Sequence, residues 1–172
     1  MGVGVVESFI MLAPVSRQFD GFGEGYSFWE RLRSPIVCER LMALVPGELG
    51  RVLDIGCGSG SVALLMADHA RRWIGVDISP RLLSLAEERR QQDNVSNLAF
   101  LLADVEALPF REGTFDLVFS YGVLHHLDVE RVLPRIGDLL RPEGRGVIFD
   151  YVTSDPRLNV SPVWQIVQTM KS

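Results

Sequence analysis

Cysteine, histidine, basic charge and long hydrophobic runs are all scarce in this chain, and each shortage removes a class of function. The two cysteines, Cys38 and Cys57, stand far apart without the paired spacing of a zinc site and build no disulfide framework. They are therefore read as reduced thiols in a cytoplasmic protein without a metal centre. Lys and Arg number 17 against 22 Asp and Glu, a formal net charge of −5. A chain so balanced offers no general basic field for a phosphate backbone, which turns the reading from nucleic acid toward a small-molecule substrate. The apolar N-terminal stretch, residues 1–14, lacks a basic start and is interrupted by Glu7. At about 13 residues it falls short of the roughly 20 that span a bilayer, so neither a signal peptide nor a membrane span is expected. Internal repeats, heptads and low-complexity tracts are missing too. The remainder is ordinary globular composition, 47 % hydrophobic and 23 % charged over 172 residues, enough for one domain with a real core.

Glycine is what the chain concentrates. Arg51-Val-Leu-Asp-Ile-Gly-Cys-Gly-Ser-Gly60, followed by Ser61-Val-Ala-Leu-Leu-Met-Ala67, reads as a buried strand, a glycine turn and a helix start, and the rest is organised around it. Gly56, Gly58 and Gly60 recur at every second position, where a residue without Cβ lets a ligand approach the backbone closely. The helix that follows is expected to aim free N–H groups at the turn, a place for a phosphate or a carboxylate. A dinucleotide-binding turn has the spacing G-x-G-x-x-G and would put its third glycine at Ser61, whereas here it is Gly60. The residues alone leave open a nicotinamide cofactor in a variant turn and a turn with no ligand.

Upstream, residues 18–29 read as a glycine and aromatic loop whose Phe19, Phe22, Tyr26 and Trp29 either fill the core or form a flap over a ligand. A helix is then expected to start with Ser34 as its cap and Pro35 in its first turn, to present Ile36, Val37, Arg40, Leu41 and Leu44 near one face, and to end at Pro46-Gly47. Downstream, residues 72–77 form a second strand that ends in Asp77, about 20 residues beyond the first glycine, where a carboxylate meets a ribose hydroxyl pair. The alternative for Asp77 is a helix cap, but Ser79-Pro80 already supplies cap and first-turn proline for a helix over 81–91. Residues 98–104 and 114–122 give the third and fourth strands. Residues 123–128 form a loop, and residues 128–140 a helix that Pro134 and Gly137 are expected to kink. Arg141-Pro-Glu-Gly144 reads as a turn into a fifth strand, 146–150. The strands are apolar nearly throughout and alternate with helices, so the fold class is α/β with a doubly wound parallel sheet.

Asp54-x-Gly56-x-Gly58-x-Gly60 resembles the acidic-x-G-x-G-x-G signature of the class I S-adenosylmethionine-dependent methyltransferases. Three further pieces match that family in order: the acid of WIGVDIS at 73–79, LLADVEALPF at 101–110, and FDLVFSYGVLHHL at 115–127 with LLRPEGRGVIFD behind it. The match covers roughly residues 51–150 and is nearest the family's group acting on small molecules and lipid intermediates. The resemblance implies a Rossmann-like sheet of five parallel strands in the order 3-2-1-4-5, with S-adenosylmethionine as cofactor and S-adenosylhomocysteine as its product. It further implies that Gly56, Cys57, Gly58 and Gly60 line the methionine end, that Asp54 buttresses the turn, and that Asp77 holds the ribose. Ile78 would pack on the adenine, and Asp104 would take its amino group with the Val105 backbone beside it. Ser120 or Tyr121 would offer a backbone carbonyl to the methionine ammonium, and Tyr26 would belong to the flap.

An activated methyl group asks chiefly for placement of its acceptor, which supplies about 7–11 kcal/mol of barrier reduction in favourable cases. Where the acceptor is a hydroxyl or an acidic carbon a base helps, and His125, with His126 second, stands in the loop facing the site. The alternative is that His125 bonds locally and His126 caps the next helix, while His69 reads as a surface residue. The end of strand four, SYGV, departs from the Asn/Asp-Pro-Pro-aromatic pattern of many amino-group methyltransferases, so an oxygen or carbon acceptor is expected. One domain is expected over 1–172, with 1–50 as cover, 51–150 as cofactor core and 151–172 as a shortened tail lacking the family's last two strands. That expectation leaves strand five as an edge for a second copy or another partner to cover, and raises a rival reading as a non-catalytic cofactor-binding subunit.

Overall fold

The structure, a computed structural model, describes residues 23–150, with side chains from residue 34 onward. A helix α1 (Gly23–Leu44) leads into strand β1 (Leu49–Ile55), followed by the short helix α2 (Ser61–Met66) and a 3-10 turn (Ala67–His69). Strand β2 (Ala70–Asp77), helix α3 (Pro80–Gln92) and strand β3 (Leu98–Leu102) come next. A second 3-10 turn (Val105–Ala107) precedes strand β4 (Phe115–Tyr121), and a third (Leu124–His126) precedes helix α4 (Val129–Leu139) and strand β5 (Leu140–Phe149). The five strands pair in parallel in the order β3-β2-β1-β4-β5, the order that the glycine signature implied. No helix among the described residues is long and apolar enough to cross a membrane.

Side chains alternate between two apolar layers, as the two-residue period of a strand requires. Val52, Trp73, Leu98, Leu117, Phe119, Val147 and Phe149 face Val37 and Leu41 of α1 and Val62, Ala63 and Met66 of α2. Leu53, Ile55, Val76 and Val118 face Val132, Ile136 and Leu139 of α4, with Val105 and Leu108. In the first layer Trp73, Phe119 and Phe149 meet edge to face, their ring centroids 6.3 and 6.0 Å apart in succession. Helix α3 starts as its sequence requires, with Ser79 Oγ accepting from the Leu82 amide at 3.2 Å and Pro80 in the first turn.

Three expectations are corrected. Helix α1 begins at Gly23, so Tyr26 lies on a helix and not in a loop, and Pro35 falls inside the helix instead of starting it. An interior proline costs about 3 kcal/mol. Here the helix formers Glu30, Arg31, Leu32 and Arg33 run into it, and Val37 and Leu41 beyond it are wholly buried, so packing carries the helix through. Strand β5 starts at Leu140, not at Gly146. Phe115 pairs with Leu140 and Leu117 with Arg145, so the Arg-Pro-Glu-Gly segment is a bulge within the strand, with Glu143 at φ 67°. Strand β3 stops at Leu102, before Asp104, and as an edge strand it leaves Leu101 and Leu102 exposed. The readings placed on residues 151–172, like the aromatic residues Phe19 and Phe22, lie outside the described residues.

The sheet and the turn after α2 are joined through Asn97, whose side-chain amide donates to the carbonyls of Ala67 at 2.7 Å and Ala70 at 2.8 Å, both on buried residues. Asn97→Ala removes both donors and is expected to cost about 1–3 kcal/mol. Urea unfolding reads this as a lowered midpoint at unchanged slope, and an unchanged midpoint would show that the two carbonyls are satisfied without Asn97.

Candidate functional site

The glycine turn sits at the carboxyl end of the central strand β1. Gly56, Gly58 and Gly60 have φ of 68°, 55° and 76°, all in the left-handed region that a side chain disfavours. Space matters as much as backbone. A Cβ on Gly56 would overlap the Val123 side chain, and one on Gly60 would come within 2.6 Å of Phe100 Cζ and 3.1 Å of Ala86 Cβ. Glycine is thus required by the protein's own packing, and not only by a ligand.

The turn's amides are largely spoken for. Gly56 and Cys57 both donate to the Val76 carbonyl, at 2.8 and 3.0 Å, Gly58 donates to Asp77 Oδ2 at 2.8 Å, and Gly60 donates to the Cys57 carbonyl at 2.9 Å. Helix α2 has only six residues, and Arg89 of α3 crosses to its start, donating to Ser59 O at 3.1 Å and Ser59 Oγ at 2.7 Å. The amides of Gly56, Cys57, Gly58 and Gly60 are thus engaged by β2 and by the turn's own backbone, while the Arg89 guanidinium sets a positive charge beside the helix start.

Asp77 is buried at the end of β2, and its second oxygen accepts from the Ser79 amide at 2.9 Å. It serves the glycine turn and the start of α3 at once, while Ser79 does the capping. One contact of Asp54 serves the neighbouring strand. Its carboxylate accepts from Trp73 Nε1 at 3.3 Å, sideways on the neighbouring strand, giving a buried indole N–H its partner. It also stands near enough to α1 to act on Cys38, whose thiol is pushed up to about 11 by burial and by the Asp54 charge. Asp54 thus lies under the first apolar layer, where side chains of β1 alternate toward α1 and α2.

Over the turn opens a cleft of about 620 Å³, counting the part open to solvent, lined by Gly56, Asp77, Ile78, Leu82, Asp104, Val105, Gly122, Val123, His126 and Leu127. Six residues singled out from the sequence, Gly56, Asp77, Ile78, Asp104, Val105 and His126, come together in this one wall. Asp104 is oriented there by its own turn, Oδ1 accepting from the Glu106 amide at 2.9 Å. Cys57, Gly58, Gly60, Ser120 and Tyr121 are not among the lining residues. Ser120 is wholly buried, and its hydroxyl donates to the Ile55 carbonyl at 3.1 Å, closing the seam between β1 and β4. The side chain of Tyr26 lies outside the described residues. Sequence reasoning missed Leu82, Gly122, Val123 and Leu127, which are apolar or small and carry no chemical signal. Among the described residues no group of three His, Cys, Asp or Glu is placed to hold a metal ion.

The two histidines separate. His126 lines the cleft, and burial together with the neighbouring His125 holds its imidazole below the usual range, with Asp150 opposing. It does not cap α4, whose cap position is Asp128. His125 lies outside the cleft lining, its ring centroid 3.9 Å from that of His126 and its Nδ1 2.7 Å from Asp150 Oδ1. Asp150 was read only as the end of strand five. Like Asp77 and Asp104 it is an acid closing an apolar strand, but the sequence does not show which residue it meets. Chemically, the cleft offers apolar walls for a flat ring, two oriented carboxylates as acceptors along it and one imidazole, that of His126.

A family model described as a methyltransferase domain matches residues 53–148. The chain is 33 % identical over 111 residues to the uncharacterised methyltransferase YcgJ of Bacillus subtilis, covering 63 % of this chain and 44 % of that one. The crystal structure of YcgJ superposes with a TM-score of 0.65 at 30 % identity, over 69 % of this chain and 52 % of that chain. It is 34 % identical over 118 residues to the 27-O-demethylrifamycin SV methyltransferase of Amycolatopsis mediterranei, covering 66 % of this chain and 43 % of that one. It is 29 % identical over 156 residues to the ubiquinone/menaquinone biosynthesis C-methyltransferase UbiE of Geotalea uraniireducens, covering 85 % and 66 %. The chain thus spans about half the length of YcgJ, under half that of the rifamycin enzyme and about two thirds of UbiE.

Gly56→Ala should destabilise the chain through two separable effects, backbone strain at positive φ and overlap with Val123. Val123→Ala in the same chain should recover the overlap and leave about 1–2 kcal/mol of strain. A double-mutant cycle read by thermal melting checks this, and full recovery would mean that the left-handed backbone costs nothing here.

Proposed function

Because the chain belongs to the methyltransferase domain family, we propose that it binds S-adenosylmethionine in the cleft over the glycine turn and directs its methyl group to an oxygen or carbon of a small molecule. The observation that carries this is the convergence of Gly56, Asp77, Ile78, Asp104 and Val105 on one wall at the carboxyl end of the sheet, where open α/β sheets hold their ligands. The residues suit the group. Ile78, Leu82, Val105 and Leu127 give apolar faces for a purine, Asp104 accepts from an exocyclic amine, and Asp77 accepts from ribose hydroxyls.

Bound there, the cofactor supplies a methyl group on a sulfonium centre and leaves as a neutral thioether. The protein's part is to hold the acceptor in line, exclude water and, for a hydroxyl or acidic carbon, take a proton, for which His125 is the candidate base. An O-methyltransferase and a C-methyltransferase among the relatives support an acceptor of that kind.

The ribose assignment is checked by calorimetric titration. S-adenosylhomocysteine should bind the unaltered chain, its 2′,3′-dideoxy analogue about tenfold more weakly, or about 1.4 kcal/mol. Asp77→Ala should lower the affinity for the parent compound similarly and abolish the discrimination. Equal affinities for the two compounds would sink the role of Asp77, and no binding of either to the folded chain would sink the cofactor reading.

A further inference from the structure

Strand β3 closes one side of the sheet, and among the described residues β2 is its only strand partner. The ladder between them tells which backbone groups of β3 are spent. Trp73 donates to the Asn97 carbonyl at 2.9 Å and Ala103 donates to the Asp77 carbonyl at 3.0 Å, one bond at each end of the strand. In a parallel pair, residues that bond to the neighbour alternate with residues whose N–H and C=O point the other way. Asn97, Ala99, Leu101 and Ala103 therefore face β2, while Leu98, Phe100 and Leu102 turn both groups outward. The side chains do nothing to guard this edge. The strand reads Leu-Ala-Phe-Leu-Leu, without lysine or proline, its register is unbroken, and Leu101 and Leu102 are 36 % and 41 % exposed.

We infer that this edge is the contact between two copies of the chain, their β3 strands paired antiparallel about a two-fold axis through Phe100. The register argues for this occupant. With Phe100 opposite Phe100 of the second copy, Leu98 falls opposite Leu102 and Leu102 opposite Leu98, so every outward group of one strand meets an outward group of the other. No other register of two such strands uses all of them. The side chains match as well, since Leu101 comes beside the small Ala99 and the exposed Leu102 beside the buried Leu98. Charge agrees at the strand ends. Arg72 is exposed and donates to the Ser96 carbonyl at 3.5 Å, at the entry to β3. Continued outward, the same register sets Ser96 opposite Asp104 of the second copy, bringing a guanidinium beside a carboxylate, twice by symmetry. A slip of two residues would put Leu102 there instead.

The pairing reaches the cleft. Phe100, at its centre, lies against the glycine turn: a Cβ on Gly60 would come within 2.6 Å of its Cζ, and one on Gly75 within 2.8 Å of its Cδ1. Asp104, in the cleft wall, follows closely on the end of the strand. The second copy thus steadies the strand that backs the turn and sets its Arg72 next to a residue of the wall. None of this depends on which ligand the cleft takes.

The test is sedimentation velocity of the whole chain over about a hundredfold range of concentration, with amide hydrogen exchange measured at both ends of that range. A monomer–dimer equilibrium is expected. Exchange at Leu98, Phe100 and Leu102 should slow as the dimer fills, while Ala99 and Leu101, already bonded to β2, change little. Leu102→Pro removes an outward donor without breaking a bond to β2, and should weaken the dimer about tenfold or more. Leu102→Lys keeps the backbone and should do likewise, which preserves the test where the proline variant fails to fold. Leu65→Lys, at a leucine of α2 that is 53 % exposed, should leave the dimer as it is. Arg72→Glu should weaken it, and Asp104→Arg in the same chain should restore it. A monomer at every concentration, a dimer untouched by Leu102→Lys, edge amides that exchange as fast in the dimer as in the monomer, or a double charge reversal weaker than Arg72→Glu alone would each overturn the inference.

Discussion

The site depends on how the end of β2 holds the break in β1. Three consecutive amides of the glycine turn, those of Gly56, Cys57 and Gly58, are taken by the Val76 carbonyl and the Asp77 carboxylate. Left-handed glycines cost conformational entropy, and a turn built from three of them would wander without such ties. With them, the floor of the cleft becomes a rigid continuation of the β1–β2 pair. The rest follows in order. Val123 lies on Gly56, the segment after β4 is thereby laid over the turn, and His126 is carried into the cleft wall.

The cleft has unequal walls as a result. One side is fixed by paired strands and by the capped start of α3, with Asp77 shared between them. The other is a single 3-10 turn, residues 124–126, secured by a backbone bond from Gly122 and by the carboxylate of Asp150. Under the proposed methyl-transfer reading, the stiffer wall would take the constant part of the ligand, the adenosine, and the lighter wall the variable part, the acceptor. This division agrees with a family whose relatives methylate different atoms of different molecules.

Much of the fold was legible because a parallel sheet writes itself in apolar runs, and because the spacing of Gly56, Gly58 and Gly60 marks the central strand. The strand-end acids Asp77 and Asp104 were legible for the same reason, as polar residues closing those runs. The errors have a common source, since a local pattern cannot name a distant partner. Nothing near the glycine turn announces that Val76, 20 positions from Gly56, takes its amides, or that Arg89, 30 positions from Ser59, bonds the serine before the helix. Nor does the signature announce that Asp54 accepts from Trp73 across the strand. Pro35 reads as a helix start until the burial of Val37 and Leu41 is known. Asp150 escaped notice because its partner, His125, is 25 residues earlier and belongs to another element.

The strand order also fixes the sequence of events by which the molecule can assemble. Every pair in the sheet is parallel, so no two strands can zip up as a hairpin, and each must wait for a crossover to be made. Strand β1 emerges first from synthesis yet lies in the middle. Its second flank stays open until β4 arrives, and the bond from Ser120 to Ile55 spans 65 positions. During that interval Val52, Leu53 and Ile55 present an unpaired apolar edge, the condition under which nascent chains stick to one another. The residue that completes the seam is a small, buried hydroxyl, so the β1–β4 side of the cleft closes only when the fourth strand docks.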